Sequence, residues 1–337
     1  IHAVPIAAKV RDEAGEVSYA PLDERMERMA RKARKWATLR HKSNAEKKVA
    51  IVFHNYPATN ANIGSAAGLD SPESVLSLLR EMRTAGYVME EIPESSKAFM
   101  KLLTDHATND RRFMTTEQAK SADGQLTAAQ YGAFFTELPE QVRTQLERDW
   151  GDAPGDVFNY DGTLLIPGTL NGNIFITVQP PRGFGEDPGK LLHSPDAAPT
   201  HHYIGYYHWL RDIWQADAVI HVGTHGSLEW LPGKSTALSN RCWPDVSLGD
   251  LPDIYPYWIT IVGEGIQAKR RGAACLISHL SPPMELAGEF EEIGELEQAL
   301  DEYVHFRAAQ PDNIEAAQEL VREKAAACHF EGEIDEG

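Results

Sequence analysis

Three short apolar runs that each end in histidine constrain this chain more than any other feature. Lys48-Val49-Ala50-Ile51-Val52-Phe53 leads into His54, Ala216-Asp217-Ala218-Val219-Ile220 into His221, and residues 273–278 into His279. Apolar runs of this length predict buried strands, as in parallel sheets flanked by helices. If the strands are parallel neighbours, the three imidazoles share one carboxyl edge, where open α/β sheets hold their ligands. Each histidine also has a bland alternative, a hydrogen bond to nearby backbone, and for His54 that alternative is preferred.

The intervening stretches supply helices and further strands. Ser71-Pro72-Glu73 opens a helix running to Arg83, with Ser71 as N-cap, Pro72 in the first helical position and Gly86 as the stop before a strand over 87–92. Residues 95–150 read as a polar helical insertion, with helix starts at Thr115 and Thr127. Residues 173–178, 256–262 and 273–278 read as strands, and 203–214 as a helix. A short helix carrying Lys269, Arg270 and Arg271 stops at Gly272. The expected fold class is α/β, with parallel or mixed sheet layers, flanking helices, a helical insertion and an acidic helical C-terminal segment. The expected divisions are a helical segment (1–48) belonging to an upstream region, an α/β unit with the insertion (49–165), an α/β unit carrying the chemistry (166–284), and an acidic helical segment (285–337).

Composition excludes several classes of function. The net charge of −18 is uneven, acidic over 285–337 and largely basic over 25–48, which argues against a nucleic-acid surface. Apolar residues in the basic stretch recur at helical spacing, so its charges read as a solvated helix face. Three cysteines lie far apart without a CxxC pair, which fits a reducing cytoplasm better than a disulfide scaffold. No stretch has the length of a membrane span or the build of a signal peptide. The chain starts at Ile1 and reads as part of a longer protein. No GxxxxGK[ST] is present, so nucleotide binding is not expected here.

The chemistry concentrates in His221-Val-Gly-Thr-His225-Gly-Ser-Leu-Glu229-Trp-Leu-Pro-Gly-Lys234. Gly223 and Gly226 break any helix before about Ser227, so the run reads as strand, loop and short helical turn. Neutral imidazole binds several divalent metals, and a carboxylate can complete the shell or accept a proton. His221, His225 and Glu229 are therefore the candidate catalytic and metal-ligating residues. The plainer reading is that His221 bonds to backbone and Glu229 pairs with Lys234.

This run closely resembles the large subunit of the tetrapyrrole metal chelatases. The resemblance extends over about residues 49–290, through the loop Gln179 to Pro188, Pro199-Thr-His201-His202-Tyr203, Cys242-Trp-Pro-Asp245, Leu248-Gly-Asp-Leu-Pro252, Gly263-Glu264-Gly-Ile-Gln-Ala-Lys269-Arg270-Arg271, and His279-Leu-Ser-Pro-Pro283. Within the family, Asn55-Tyr56-Pro57 and Gly263-Glu264-Gly265 lean to the CobN-type cobaltochelatase branch over the magnesium chelatase branch. Large subunits of this family are several times longer than this chain.

The resemblance implies ATP-dependent insertion of a divalent metal, cobalt or alternatively magnesium, into a tetrapyrrole. The macrocycle would be a corrin precursor or, alternatively, protoporphyrin. ATP is used by separate AAA+ ATPase partner subunits, so an isolated portion is expected to be inactive. Insertion requires a base for the pyrrolic protons and an open, weak ligand set beside an apolar wall. Trp230, Trp243, Tyr203, Tyr206, Tyr207 and Trp258 are aromatic candidates for that wall. His201, His202, Arg182, Lys234, Arg241, Glu264, Lys269, Arg270, Arg271 and His279 are the expected substrate contacts, the cations through charge-assisted bonds to acidic side chains. Two other classes stay open: a non-catalytic tetrapyrrole, metal or ATPase-docking module, and a metal-dependent hydrolase.

Overall fold

A computed structural model describes residues 4–66, 68–110, 112, 114–183, 194–223, 226–258, 262–279, 291–309 and 314–328. Residues 1–280 form one compact unit and 281–337 another. Eleven strands are described: β1 (Ala7–Arg11), β2 (Val17–Pro21), β3 (Val49–Phe53), β4 (Gly124–Thr127), β5 (Asn159–Tyr160), β6 (Thr163–Ile166), β7 (Gly168–Asn171), β8 (Ile174–Val178), β9 (Ala218–Val222), β10 (Asp253–Trp258) and β11 (Cys275–His279).

Six of these build the main sheet, in the order β11-β10-β9-β3-β8-β7. Pairing is parallel from β11 through to β8, and β7 closes the edge antiparallel to β8. All five residues of β3, β8 and β9 are buried, as their mostly apolar runs, interrupted only by Thr177 and His221, require. Side chains alternate between faces. On one face Ala50, Val52, Phe175 and Val219 meet Tyr203, Tyr206, Tyr207 and Leu210. On the other, Ile51, Phe53, Ile176 and Ile220 meet Val75, Leu76, Leu79 and Phe99.

The chain leaves β3 for β8 on one side, then crosses back to β9 on the other. That reversal makes the carboxyl ends of β3 and β9 a switch point, where a crevice opens because successive connections diverge to opposite sides. Register holds the ends level, with Phe53 opposite both Val178 and Val222. His54, Gln179 and the loop after His221 therefore emerge side by side.

Local signals explain most of the helices. Thr115 and Thr127 each close a capping box, with Gln118 and Gln130 respectively, so two backbone donors are satisfied at each start. The helix Ser71–Thr84 begins one residue earlier than its sequence suggests: Asp70, not Ser71, accepts the Glu73 N–H at 3.0 Å, and Ser71 is buried. Gly86 follows at φ +88°. The stop expected at Gly272 falls on Ala273, which takes the left-handed conformation.

Two expectations fail for identifiable reasons. No strand forms over 87–92, because the Asn171 side chain takes the Glu90 N–H and donates to the Glu91 carbonyl, occupying groups a ladder would need. The basic helix Asp23–His41 is not simply a solvated face. Arg25 and Arg28 reach Asp245 at 2.5 and 3.0 Å, Arg31 reaches Asp250 at 2.6 Å, and buried Lys32 lies 3.4 Å from the Leu251 carbonyl. Burial and the neighbouring Arg28 bring Lys32 down to about 8, against favourable charges on Asp253, Asp245 and Asp250. These partners lie more than two hundred residues away, so no local pattern reveals them. The insertion also contains β4, which joins β6 and β5 in a small antiparallel sheet. In the second unit the helices Glu291–Ala309 and Ile314–Ala327 pack together, with Lys324 2.8 Å from Glu295.

Candidate active site

A cleft of about 550 Å³ opens at the switch point, lined by His54, Tyr56, Arg182, Ser194, Pro195, residues 226–227 and 230–233, Glu264 and Arg271. Its position follows from topology: Tyr56 comes from the loop after β3, Arg182 from that after β8 and Trp230 from that after β9. Tyr56 and Trp230 are 36% and 42% exposed, unusual for large aromatics beside a buried core.

His221 sits one layer behind this cleft, 8% exposed at the end of β9. Its Nδ1 lies 2.8 Å from Asp253 Oδ1 and its Nε2 3.1 Å from the Tyr207 hydroxyl. Gln179 Nε2 donates to that hydroxyl at 2.8 Å, while Gln179 Oε1 accepts from the Ser227 N–H and Oγ at 2.8 and 3.1 Å. Ser227 Oγ is in turn 2.9 Å from the Tyr203 hydroxyl. With Tyr207 accepting from Gln179, its own proton points at Nε2 of a neutral His221, and the Nδ1 proton faces Asp253. The network fixes one tautomer and ties the floor of the cleft, at Ser227, to the His221–Asp253 pair. Burial alone would lower the His221 pKa, but the charge of Asp253, its hydrogen bond and the charge of Glu229 together raise it.

Glu229 occupies a short 3₁₀ turn, Leu228–Trp230, where it is 5% exposed and accepts the Gly226 N–H at 3.0 Å. The helical turn expected after Ser227 is thus present, and its carboxylate braces the loop. His225 lies outside the described residues. Among the described residues no group of three or more His, Cys, Asp and Glu side chains is placed to hold a metal ion.

The expected substrate contacts fall in several different places. Arg182, Glu264 and Arg271 line the cleft. Arg182 donates to the Trp230 and Ala197 carbonyls at 3.4 and 3.2 Å and also to the Ser194 carbonyl, and Arg271 donates to the Leu231 carbonyl at 2.5 Å. Burial lowers the pKa of both guanidiniums. Lys234 and Arg241 line a neighbouring recess, Arg270 lines a small pocket against the helix Asp23–His41, and Lys269 is exposed. His201 and His202, by contrast, are built into the core. His201 bridges the Tyr131 hydroxyl and the Gly151 carbonyl at 2.7 and 2.9 Å. His202 donates to the Leu165 carbonyl at 2.6 Å, and burial lowers its pKa to about 4. His279 ends β11, its backbone opposite Trp258.

Sequence reasoning missed Asp253, Gln179 and Ser227. Asp253 carries a usable signal, because a carboxylate opening a buried parallel strand needs a partner. Of the aromatic candidates, Tyr203, Tyr206, Tyr207 and Trp243 are fully buried, whereas Trp230 reaches the cleft.

A doubly wound α/β unit with an arginine- and aromatic-lined cleft at its strand switch defines the class as a ligand-binding domain of the open-sheet type. Comparison narrows it: residues 1–337 match the CobN/Magnesium Chelatase family, to which the chain belongs. It is 48% identical, over 89% of its length and 25% of the relative, to an uncharacterized protein of Methanocaldococcus jannaschii. It is 40% identical to the aerobic cobaltochelatase subunit CobN of Pseudomonas aeruginosa, covering 90% of this chain and 24% of that protein. It is 36% identical to a magnesium-chelatase subunit of Chlorobaculum parvum, covering 90% and 23%. Among solved structures, the catalytic subunit of cobaltochelatase from Mycobacterium tuberculosis matches with a TM-score of 0.74 and 37% identity, over 97% of this chain and 28% of that one. The chain thus spans about a quarter of the length of these relatives. No described helix is long and apolar enough to cross a membrane.

Proposed function

We propose that this chain forms the tetrapyrrole- and metal-handling part of a chelatase large subunit, which inserts a divalent ion, cobalt in the first instance, into a tetrapyrrole. AAA+ ATPase partners supply the driving energy. The macrocycle lies in the cleft against Trp230 and Tyr56, with its acidic side chains toward Arg182 and Arg271. His225 and Glu229 meet the incoming ion and the pyrrolic nitrogens. Two protons must leave those nitrogens as the metal enters, so the site needs a proton acceptor close behind the ligands. His221, oriented by Asp253 and raised in pKa, is that acceptor reserve.

The observation that carries the reading is the buried His221–Asp253 pair directly behind the loop that lines the cleft. The 40% identity to a cobaltochelatase subunit favours cobalt, and the 36% identity to a magnesium-chelatase subunit keeps magnesium as the competing ion to test. The test is insertion by a reconstituted full-length large subunit with its ATPase partners, offered each ion. His225→Ala and Glu229→Gln are expected to abolish insertion while tetrapyrrole affinity stays within about twofold, as for groups that act only on the reacting atoms. Unchanged insertion in both variants would reduce the domain to a binding or docking module.

A further inference from the structure

The helix Asp23–His41 meets the turn Ala268–Gly272 across a small pocket of about 20 Å³. Five cations line it, Arg25, Arg28, Lys32, Arg270 and Arg271, and Asp245 is the one carboxylate among its described lining residues. Local partners answer only part of that charge. Arg25 holds Glu24 and Asp245, and Arg28 reaches Asp245 at 3.0 Å, Asp250 at 3.8 Å and the Gly249 carbonyl at 2.6 Å.

Lys32 and Arg271 are served less well. Lys32 is 4% exposed, and its Nζ meets one acceptor among the described residues, the Leu251 carbonyl at 3.4 Å. Arg271 is 8% exposed; Nη2 donates to the Leu231 carbonyl at 2.5 Å, while Nε is buried with no hydrogen-bond partner among the described residues. Buried cations are costly to hold unless they are paired and hydrogen-bonded. Burial and the charge of Arg28 lower Lys32 to about 8, as surplus positive charge at the pocket requires. The other nearby carboxylates are committed elsewhere, Asp250 to Arg31 at 2.6 Å and Asp253 to His221 at 2.8 Å.

Size selects among anions. A water needs roughly 10–15 Å³ of such space, so the pocket admits one or two particles of that size and suits a halide better than a tetrahedral oxyanion. We propose that the pocket binds a chloride ion between Arg28, Lys32 and Arg271, and that this ion clamps the helix Asp23–His41 onto the turn Ala268–Gly272. Because Arg271 also lines the cleft, the ion holds one of the cleft guanidiniums in place as well.

Urea unfolding followed by tryptophan fluorescence, with sodium chloride replacing sodium gluconate at constant ionic strength, separates binding from screening. The midpoint is expected to rise with chloride and then to level off once the folded state is saturated. Lys32→Met keeps most of the side-chain volume but removes the charge, and should weaken the apparent chloride affinity about tenfold. Arg270→Ala, at an exposed position, should weaken it about threefold and carries the comparison if Lys32→Met does not fold. In crystals of the chain grown with sodium bromide, an anomalous peak is expected among Arg28, Lys32 and Arg271. A chloride response that is absent, or that is unchanged in the variants, would overturn the proposal, as would bromide bound only outside this pocket. A bromide peak in the pocket without a saturable response in solution would mark an adventitious ion only and overturn it equally.

Discussion

Replacing Asp253 by Asn keeps the shape of the pair with His221 but removes its charge. The His221 ring keeps a neutral acceptor 2.8 Å from Nδ1, so what is lost is the charge-assisted part of the bond. Bonds to charged groups contribute roughly 1.5–3 kcal/mol and neutral ones about 1, so a loss of about 1–2 kcal/mol is expected while the imidazole is protonated. The pH dependence has a definite sign. In the native chain burial is outweighed by Asp253 and Glu229, and the folded pKa stands above the ordinary value. Its stabilisation is therefore complete below the unfolded value of about 6.5 and is lost as pH rises through the raised folded value. In the Asn variant burial has lost its main opponent, the folded pKa drops, and acid becomes destabilising. The gap between the two proteins thus grows as pH falls through the ordinary histidine value of about 6.5 and narrows toward alkaline pH. All seven tryptophans lie within residues 1–280, so urea unfolding followed by indole fluorescence reports this unit alone. A gap that is constant with pH, or that widens above neutrality, would refute the assignment of the pair.

Two further substitutions test the scaffold around the site. Asp245→Ala removes the carboxylate shared by buried Arg25 and partly buried Arg28, and should cost roughly 3 kcal/mol in urea unfolding, because the partner of a broken buried pair keeps its desolvation penalty. Thr127→Ala deletes one capping box and should cost about 1 kcal/mol in the same assay, without altering ligand binding.

The sheet was legible because its evidence is local. Mostly apolar five-residue runs at β3, β8 and β9 admit few alternatives to buried strands, and a histidine toward the end of such a run points to the ligand edge. Thr115 and Thr127 were legible for the same reason, since a capping box is written in four consecutive residues. The site was legible only in part. Glycine spacing marked the loop after His221 and its short turn at Glu229, but not that His221 would be held between Asp253 and Tyr207. That arrangement depends on β10 lying parallel beside β9, a contact between residues thirty-two positions apart. His201 and His202 illustrate the converse. Their clustering suggests ligand contact, yet Tyr131 and Gly151 take both ring nitrogens of His201, and the Leu165 carbonyl takes Nε2 of His202, inside the core. The basic helix misled because the spacing of charges on a helix reveals which face they occupy, and says nothing of what docks there.

The central claim is that the crevice at the carboxyl ends of β3, β8 and β9 is where macrocycle and metal meet. Crystals of the full-length large subunit soaked with a cobalt(II) porphyrin, measured at the cobalt absorption edge, locate the ion directly. The account predicts an anomalous peak in the cleft between Trp230 and Arg182, beside the loop that carries His225 and Glu229. A peak bound elsewhere on the protein, with this cleft empty, would contradict it.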